Sequence, residues 1–158
     1  MIQIKQILVP TDFSEPSQTA TRYALELAKK FGSKVHLLYV IEDPMFSFPA
    51  FGGYSPDTSE LEAYAQAGLD NWIADEDAAG LQIERRFVHG SAFLSILRDS
   101  SQHDIDLIVM GTHGHGFTHH LLMGSVAEKV VRKAACPVLT IRPEGYQFKH
   151  FDEESDAE

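Results

Sequence analysis

The chain has 158 residues, 44% of them hydrophobic and 23% charged, the balance of one ordinary globular domain with a well-buried core. Its net charge of −10 argues against nucleic acid as a partner. No apolar run approaches the length of a membrane span and residues 1–9 lack a signal-peptide layout, so the expectations are a cytoplasmic location and no membrane contact. The lone Cys136 cannot close an internal disulfide, which fits a reducing compartment, and its place before Pro137 in an apolar run predicts a buried structural thiol.

Residues 2–9 alternate loosely and end in Ile7-Leu-Val9, a short buried strand. Pro10-Thr11-Asp12-Phe13-Ser14 reads as the turn that ends it, with Ser14 capping a helix whose first turn holds Glu15 and Pro16. Ala20, Tyr23, Ala24, Leu27, Ala28 and Phe31 recur three and four apart as a stripe to bury, and Gly32 closes the helix. Residues 34–41 (KVHLLYVI) are a second buried strand, parallel to the first through a right-handed crossover. Residues 43–57, rich in Phe, Pro and Gly, have no period; they are either a lid or interface, or a cover for the domain's own core edge.

Ser59-Glu-Leu-Glu62 is a capping box, and the helix behind it, with Leu61, Ala65, Leu69, Trp72 and Ile73 on its inner face, is expected to end at Gly80. Residues 81–88 form a third strand with Arg85 and Arg86 on opposite faces. His89-Gly90-Ser91 is a turn in which Ser91 caps a short helix carrying Phe93, Ile96 and Leu97. A strand at 106–110, a glycine loop, a helix at 125–135 and a strand at 137–142 complete the chain. Strands alternating with helices predict an α/β fold, one open, mostly parallel sheet with helices on both faces, over residues 1–143. Residues 144–158, with Asp152, Glu153, Glu154, Asp156 and Glu158, read as a disordered acidic tail that either solubilises or docks.

In such sheets a ligand binds beyond the carboxyl ends of the strands, where strand order reverses. Two turns look specialised for that end: Pro10-Thr11-Asp12 after the first strand, and Gly111-Thr-His-Gly114-His-Gly116-Phe-Thr-His119-His120-Leu-Leu-Met-Gly124-Ser125-Val126 after the fourth. Glycines where a strand ends and a helix begins let backbone N–H groups face one anion, to which the helix N-terminus adds its partial charge. If the two strands are neighbours, Asp12 faces this loop and could hold a ribose hydroxyl or a Mg²⁺ that bridges phosphates. Its other reading is a turn residue that favours the helix dipole. The loop is not a P-loop, because no Gly is followed by Lys, and it lacks Gly-x-Gly-x-x-Gly. Spacing alone leaves it either an anion cradle or a long connection.

Gly111-x-x-Gly114, nine further residues, then Gly124-Ser125 resembles the ATP-binding motif of the universal stress protein family. The resemblance extends over three ordered blocks: Ile7-Leu-Val-Pro-Thr-Asp12-Phe-Ser14, Asp106-Leu-Ile-Val-Met-Gly111-Thr-His-Gly114, and Gly124-Ser-Val-Ala-Glu-Lys-Val-Val131 through Cys136-Pro-Val-Leu139. It implies a Rossmann-like (adenine nucleotide alpha hydrolase-like) five-stranded parallel sheet with the first and fourth strands adjacent. By position, it implies that Asp12, in the turn with Pro10 and Thr11, contacts ribose or Mg²⁺, and that Val40 and Met110 border adenine. Gly111, Thr112, Gly114, Gly124, Ser125 and Val126 would surround the phosphates with main-chain N–H groups and a hydroxyl, beside His113 and His115.

Relatives often carry basic residues between the last two glycines, where this chain has His115, His119 and His120, with His113 beside them. Imidazoles titrate near physiological pH, so ATP affinity is expected to rise as pH falls towards 6. The four histidines lack the cysteine or carboxylate partners of a structural zinc site. Hydrolysis needs a positioned base and cationic stabilisation of the transferring group, and the motif holds no Lys or Arg. The favoured reading is therefore an ATP-binding regulatory switch with slow or no turnover. Two others stand beside it: a dimeric interaction module, paired through an apolar last strand at Val138–Ile141, in which nucleotide is incidental, and a slow ATPase.

Overall fold

The computed structural model describes residues 1–42, 58–113 and 123–143; the aromatic loop, His115, His119, His120, Gly114 and the acidic tail lie outside them. The described elements are β1 (Gln6–Thr11), α1 (Glu15–Phe31), β2 (Lys34–Ile41), α2 (Ser59–Trp72), α3 (Asp75–Ala78), β3 (Ile83–His89), α4 (Ala92–Gln102), β4 (Leu107–Gly111), α5 (Ser125–Lys133) and β5 (Val138–Ile141). All pairings are parallel, in the order β3-β2-β1-β4-β5. The order reverses between β1 and β4, as the sequence required for its two specialised turns to meet.

The period of two along each strand divides the core into two layers. Ile7, Val9, Val35 and Leu37 face α1 and α2, where Ala20, Ala24, Leu25, Ala28, Leu69 and Ile73 meet them. Leu8, Leu38, Ile108 and Met110 face α4 and α5, represented by Ile96, Ala127 and Val130. The small alanines of α1 let its backbone lie close to the sheet. Its ends are fixed as the sequence predicts: the Ser14 side chain accepts from Ser17 N, and Gly32 turns the chain at φ 69°.

Several local expectations are corrected. β1 runs on through Pro10 and Thr11. Its register with β4 covers Ile7–Leu107 and Leu8–Ile108, whereas Pro10 still stands opposite Leu38 of β2. Tyr23 and Phe31 of the α1 stripe are exposed, and Leu25 is buried in their stead. The capping box does not form: Thr58 precedes α2 without a side-chain cap bond, and Glu62 reaches across to His89 Nε2 (2.8 Å). α2 ends at Trp72, well before Gly80, because Ile73 turns extended to enter the core, and the acidic run from Asp75 starts the one-turn α3. Trp72 packs on the core and donates its Nε1–H to Thr21 Oγ1 (2.9 Å), and Cys136 packs, partly buried, against the second layer.

Candidate binding site

A cavity of about 500 Å³ opens over the carboxyl ends of the strands, at the point where their order reverses. β1 contributes Pro10, Thr11 and the following Asp12; β2 contributes Leu38, Tyr39, Val40 and the following Glu42. Met110 and Gly111 of β4 lead to Thr112 and His113, while Gly124, Ser125, Val126 and Ala127 bring in the start of α5. Every described residue of the sequence-predicted site therefore lies on this one cavity. Gly114 and His115 fall outside the described residues.

The Asp12 turn is held by its own side chains. Thr11 Oγ1 accepts from Phe13 N (3.0 Å), and Asp12 Oδ1 accepts from Ser14 N (3.0 Å) and from the Ser14 hydroxyl. Phe13 adopts φ 61°, a conformation uncommon outside glycine. Its ring is stacked on Tyr39 at 4.5 Å and tilted against Trp72 at 5.4 Å, which fixes the turn it strains. Asp12 thus performs the turn role read as its alternative, and its carboxylate also borders the cavity. Burial, reinforced by Tyr64, Asp12 and Glu42, pushes the neighbouring Tyr39 phenol above its ordinary value.

On the opposite wall, the main-chain roles implied for Thr112 and Gly124 are corrected. Thr112 N donates to Ile141 O (3.0 Å), extending the β4–β5 ladder, and Gly124 N donates to Thr112 O (2.6 Å). Neither N–H is left for a ligand. That second bond pins together the two ends of the glycine loop and leaves little room at Gly124, where a Cβ would come 3.1 Å from Thr112 O. At Gly111 a Cβ would meet both His113 O and Pro16 O at 3.1 Å.

The free donors lie one residue further on. α5 has no side-chain cap, and its first helical bond runs from Glu128 N to Gly124 O. The N–H groups of Ser125, Val126 and Ala127 therefore have no helical acceptor and line the cavity. His113 Nδ1 bonds Thr112 Oγ1 (2.8 Å).

Sequence reasoning missed Ser17, Leu38, Tyr39, Glu42, Tyr64, Ala92, Ile96 and Ala127 as lining residues. Glu42 was legible in principle, since it stands two residues beyond Val40 and so on the same face of the strand line. Ser91 does not cap α4 with its side chain; Glu42 Oε1 accepts from Ala92 N (2.9 Å) in that role. Among the described residues the lining carries the carboxylates of Asp12 and Glu42 and no Lys or Arg, and no three His, Cys, Asp or Glu side chains gather as a metal cluster.

An open parallel sheet with its cavity at the reversal of strand order, walled by a glycine-bounded turn and an uncapped helix start, defines a Rossmann-like α/β fold. The chain belongs to the universal stress protein family, whose model matches residues 3–142. It is 33% identical over 139 residues to universal stress protein MJ0531 of Methanocaldococcus jannaschii, covering 87% of this chain and 82% of that one. The solved structure of MJ0577, from the same archaeon, superposes with a TM-score of 0.76 at 29% identity over 92% of this chain and 100% of the other. A universal stress protein in complex with cAMP shares the fold, with a TM-score of 0.64 at 22% identity over 90% of this chain and all of that one.

Proposed function

We propose that the cavity binds an adenine nucleotide, ATP together with Mg²⁺, and that the chain acts as a nucleotide-dependent regulator in a stress response with slow or no hydrolysis. The observation that carries this reading is the division of the cavity into two ends. Leu38, Val40, Ile96 and Met110 form an apolar slot fit for a base, and the open N–H groups of Ser125, Val126 and Ala127 offer an anion site across from Asp12. The cAMP complex of a protein with this fold is consistent with the slot. Mg²⁺ would be held by the Asp12 carboxylate and the nucleotide's own phosphates, the usual arrangement for this ion. With no Lys or Arg on the described lining, the site provides no fixed cation for a transferring phosphoryl group, which favours binding over turnover.

The protein purified natively should retain the nucleotide, to be identified by mass spectrometry after release. Gly124→Val, which forces a side chain onto Thr112 O, loses it; retention unchanged in that variant sinks the site. A second reading, a dimeric module in which nucleotide is incidental, is favoured by β5. That strand pairs with β4 on one side, and Leu139 is exposed along it.

A further inference from the structure

Two helix starts face the same cavity, and they are treated oppositely. The α5 start is open, whereas the α4 start is closed by Glu42, whose Oε1 accepts from Ala92 N (2.9 Å). Among the described residues no hydrogen bond reaches its other oxygen. Glu42 lines the cavity together with Val40 and Met110, and the bond to α4 ties its carboxylate to that wall. β1 lies between β2 and β4, so Glu42 stands about two strand spacings, roughly 10 Å, from the end of β4 and the phosphate side. A fixed carboxylate there repels phosphate and accepts hydrogen bonds only.

Resting on the nucleotide reading above, we propose that Glu42 is the base-selecting residue of the site. It accepts from the exocyclic amino group at C6 of adenine and turns the nucleotide so that its phosphates run towards α5. A base with a carbonyl at C6 would set oxygen against oxygen there and forfeit the hydrogen bond that an amino group donates to the carboxylate. The clean probe is ITP, whose hypoxanthine carries a carbonyl where ATP carries the amino group.

The test is titration calorimetry of ATP and ITP against the wild-type chain and Glu42→Gln, with melting of both proteins. The wild type should prefer ATP by about tenfold or more. Glu42→Gln keeps its one oxygen on Ala92 N and so turns its NH₂ towards the base, which suits a C6 carbonyl and not an amino group, so the preference should fall to parity or invert. A residue that merely capped α4 would lower both affinities or the melting midpoint and leave the ratio unmoved. A ratio unchanged by the substitution, or no preference in the wild type, overturns the proposal alone. A wild type that binds neither nucleotide overturns the nucleotide reading and this proposal with it.

Discussion

His36 lies in the interior of β2 with 2% of its surface exposed, among groups that require it to be neutral. Its Nε2–H donates to Gln6 Oε1 (2.6 Å), and its Nδ1 accepts from Arg86 Nη1 (3.0 Å). Arg86 is itself fixed by a two-pronged contact with Asp99 (2.8 and 2.6 Å) and by Glu84 (3.0 Å). Burial first, then the Arg86 and Lys34 charges, lowers the His36 pKa from 6.5 to about 4. A histidine whose folded pKa is depressed contributes stability that is complete above 6.5 and lost as pH falls towards 4. Glu84, held below its ordinary range by its hydrogen bond from Lys34, stays ionised down to pH 5, so the window between pH 7 and 5 reports His36. Urea unfolding should lose about 2 kcal/mol across that window beyond the losses of a His36→Gln chain, whose stability should be flatter. Nothing in the sequence marked His36 out, because a buried neutral histidine depends on partners from β1, β3 and α4 that only the fold assembles.

At the scale of elements, α5 and α2 each expose one checkable contact. Ser125 stands at the first position of α5, where proline is tolerated, and Gly124 before it is already extended at ψ 156°. Ser125→Pro should therefore leave the melting midpoint nearly unchanged while removing one N–H and the hydroxyl. ATP affinity measured by calorimetry should fall about tenfold, the worth of a charge-assisted hydrogen bond. In α2, Gly68 looks like a weak helix residue awaiting replacement by alanine. The Phe13 ring lies against it, however, and a Cβ would come within 2.5 Å of Cε2. Gly68→Ala should thus destabilise by about 1–3 kcal/mol in denaturant melts and weaken nucleotide retention by displacing the Asp12 turn. Element type was legible throughout from apolar period. Helix ends were legible where a local device sets them, as at Ser14 and Gly32, and misread where a distant residue does: Glu42 caps α4, and His89 draws Glu62 out of its capping box.

For the whole molecule, the adjacency of β1 and β4 and the meeting of Asp12 with the ends of the glycine turn followed from the three sequence blocks. The way the wall is wired did not, since the Thr112–Ile141 and Gly124–Thr112 bonds depend on exact register. The membership of the assembly follows from the edge. If β5 pairs across a two-fold axis, the chain sediments as a dimer and Leu139→Lys shifts it to monomer. If a protein partner captured by that dimer binds equally with ATP, ADP or no nucleotide, the interaction-module reading replaces the switch.

The join between β1 and β4 has a further consequence. β2 is laddered to β3 from Val35–Ile83 to Ile41–His89, and to β1 from Gln6–Lys34 to Thr11–Tyr39. β1 and β4, by contrast, meet in register at Ile7–Leu107 and Leu8–Ile108 and are then reinforced by Asp106, whose carboxylate accepts from Gln6 N, 100 residues away along the chain. β1 and β4 are thus joined over two register pairs by contacts about a hundred residues apart in sequence, and the cavity lies above this short join. A molecule seated there would touch residues from both sides of that join. Its presence would report that β4 had paired with β1.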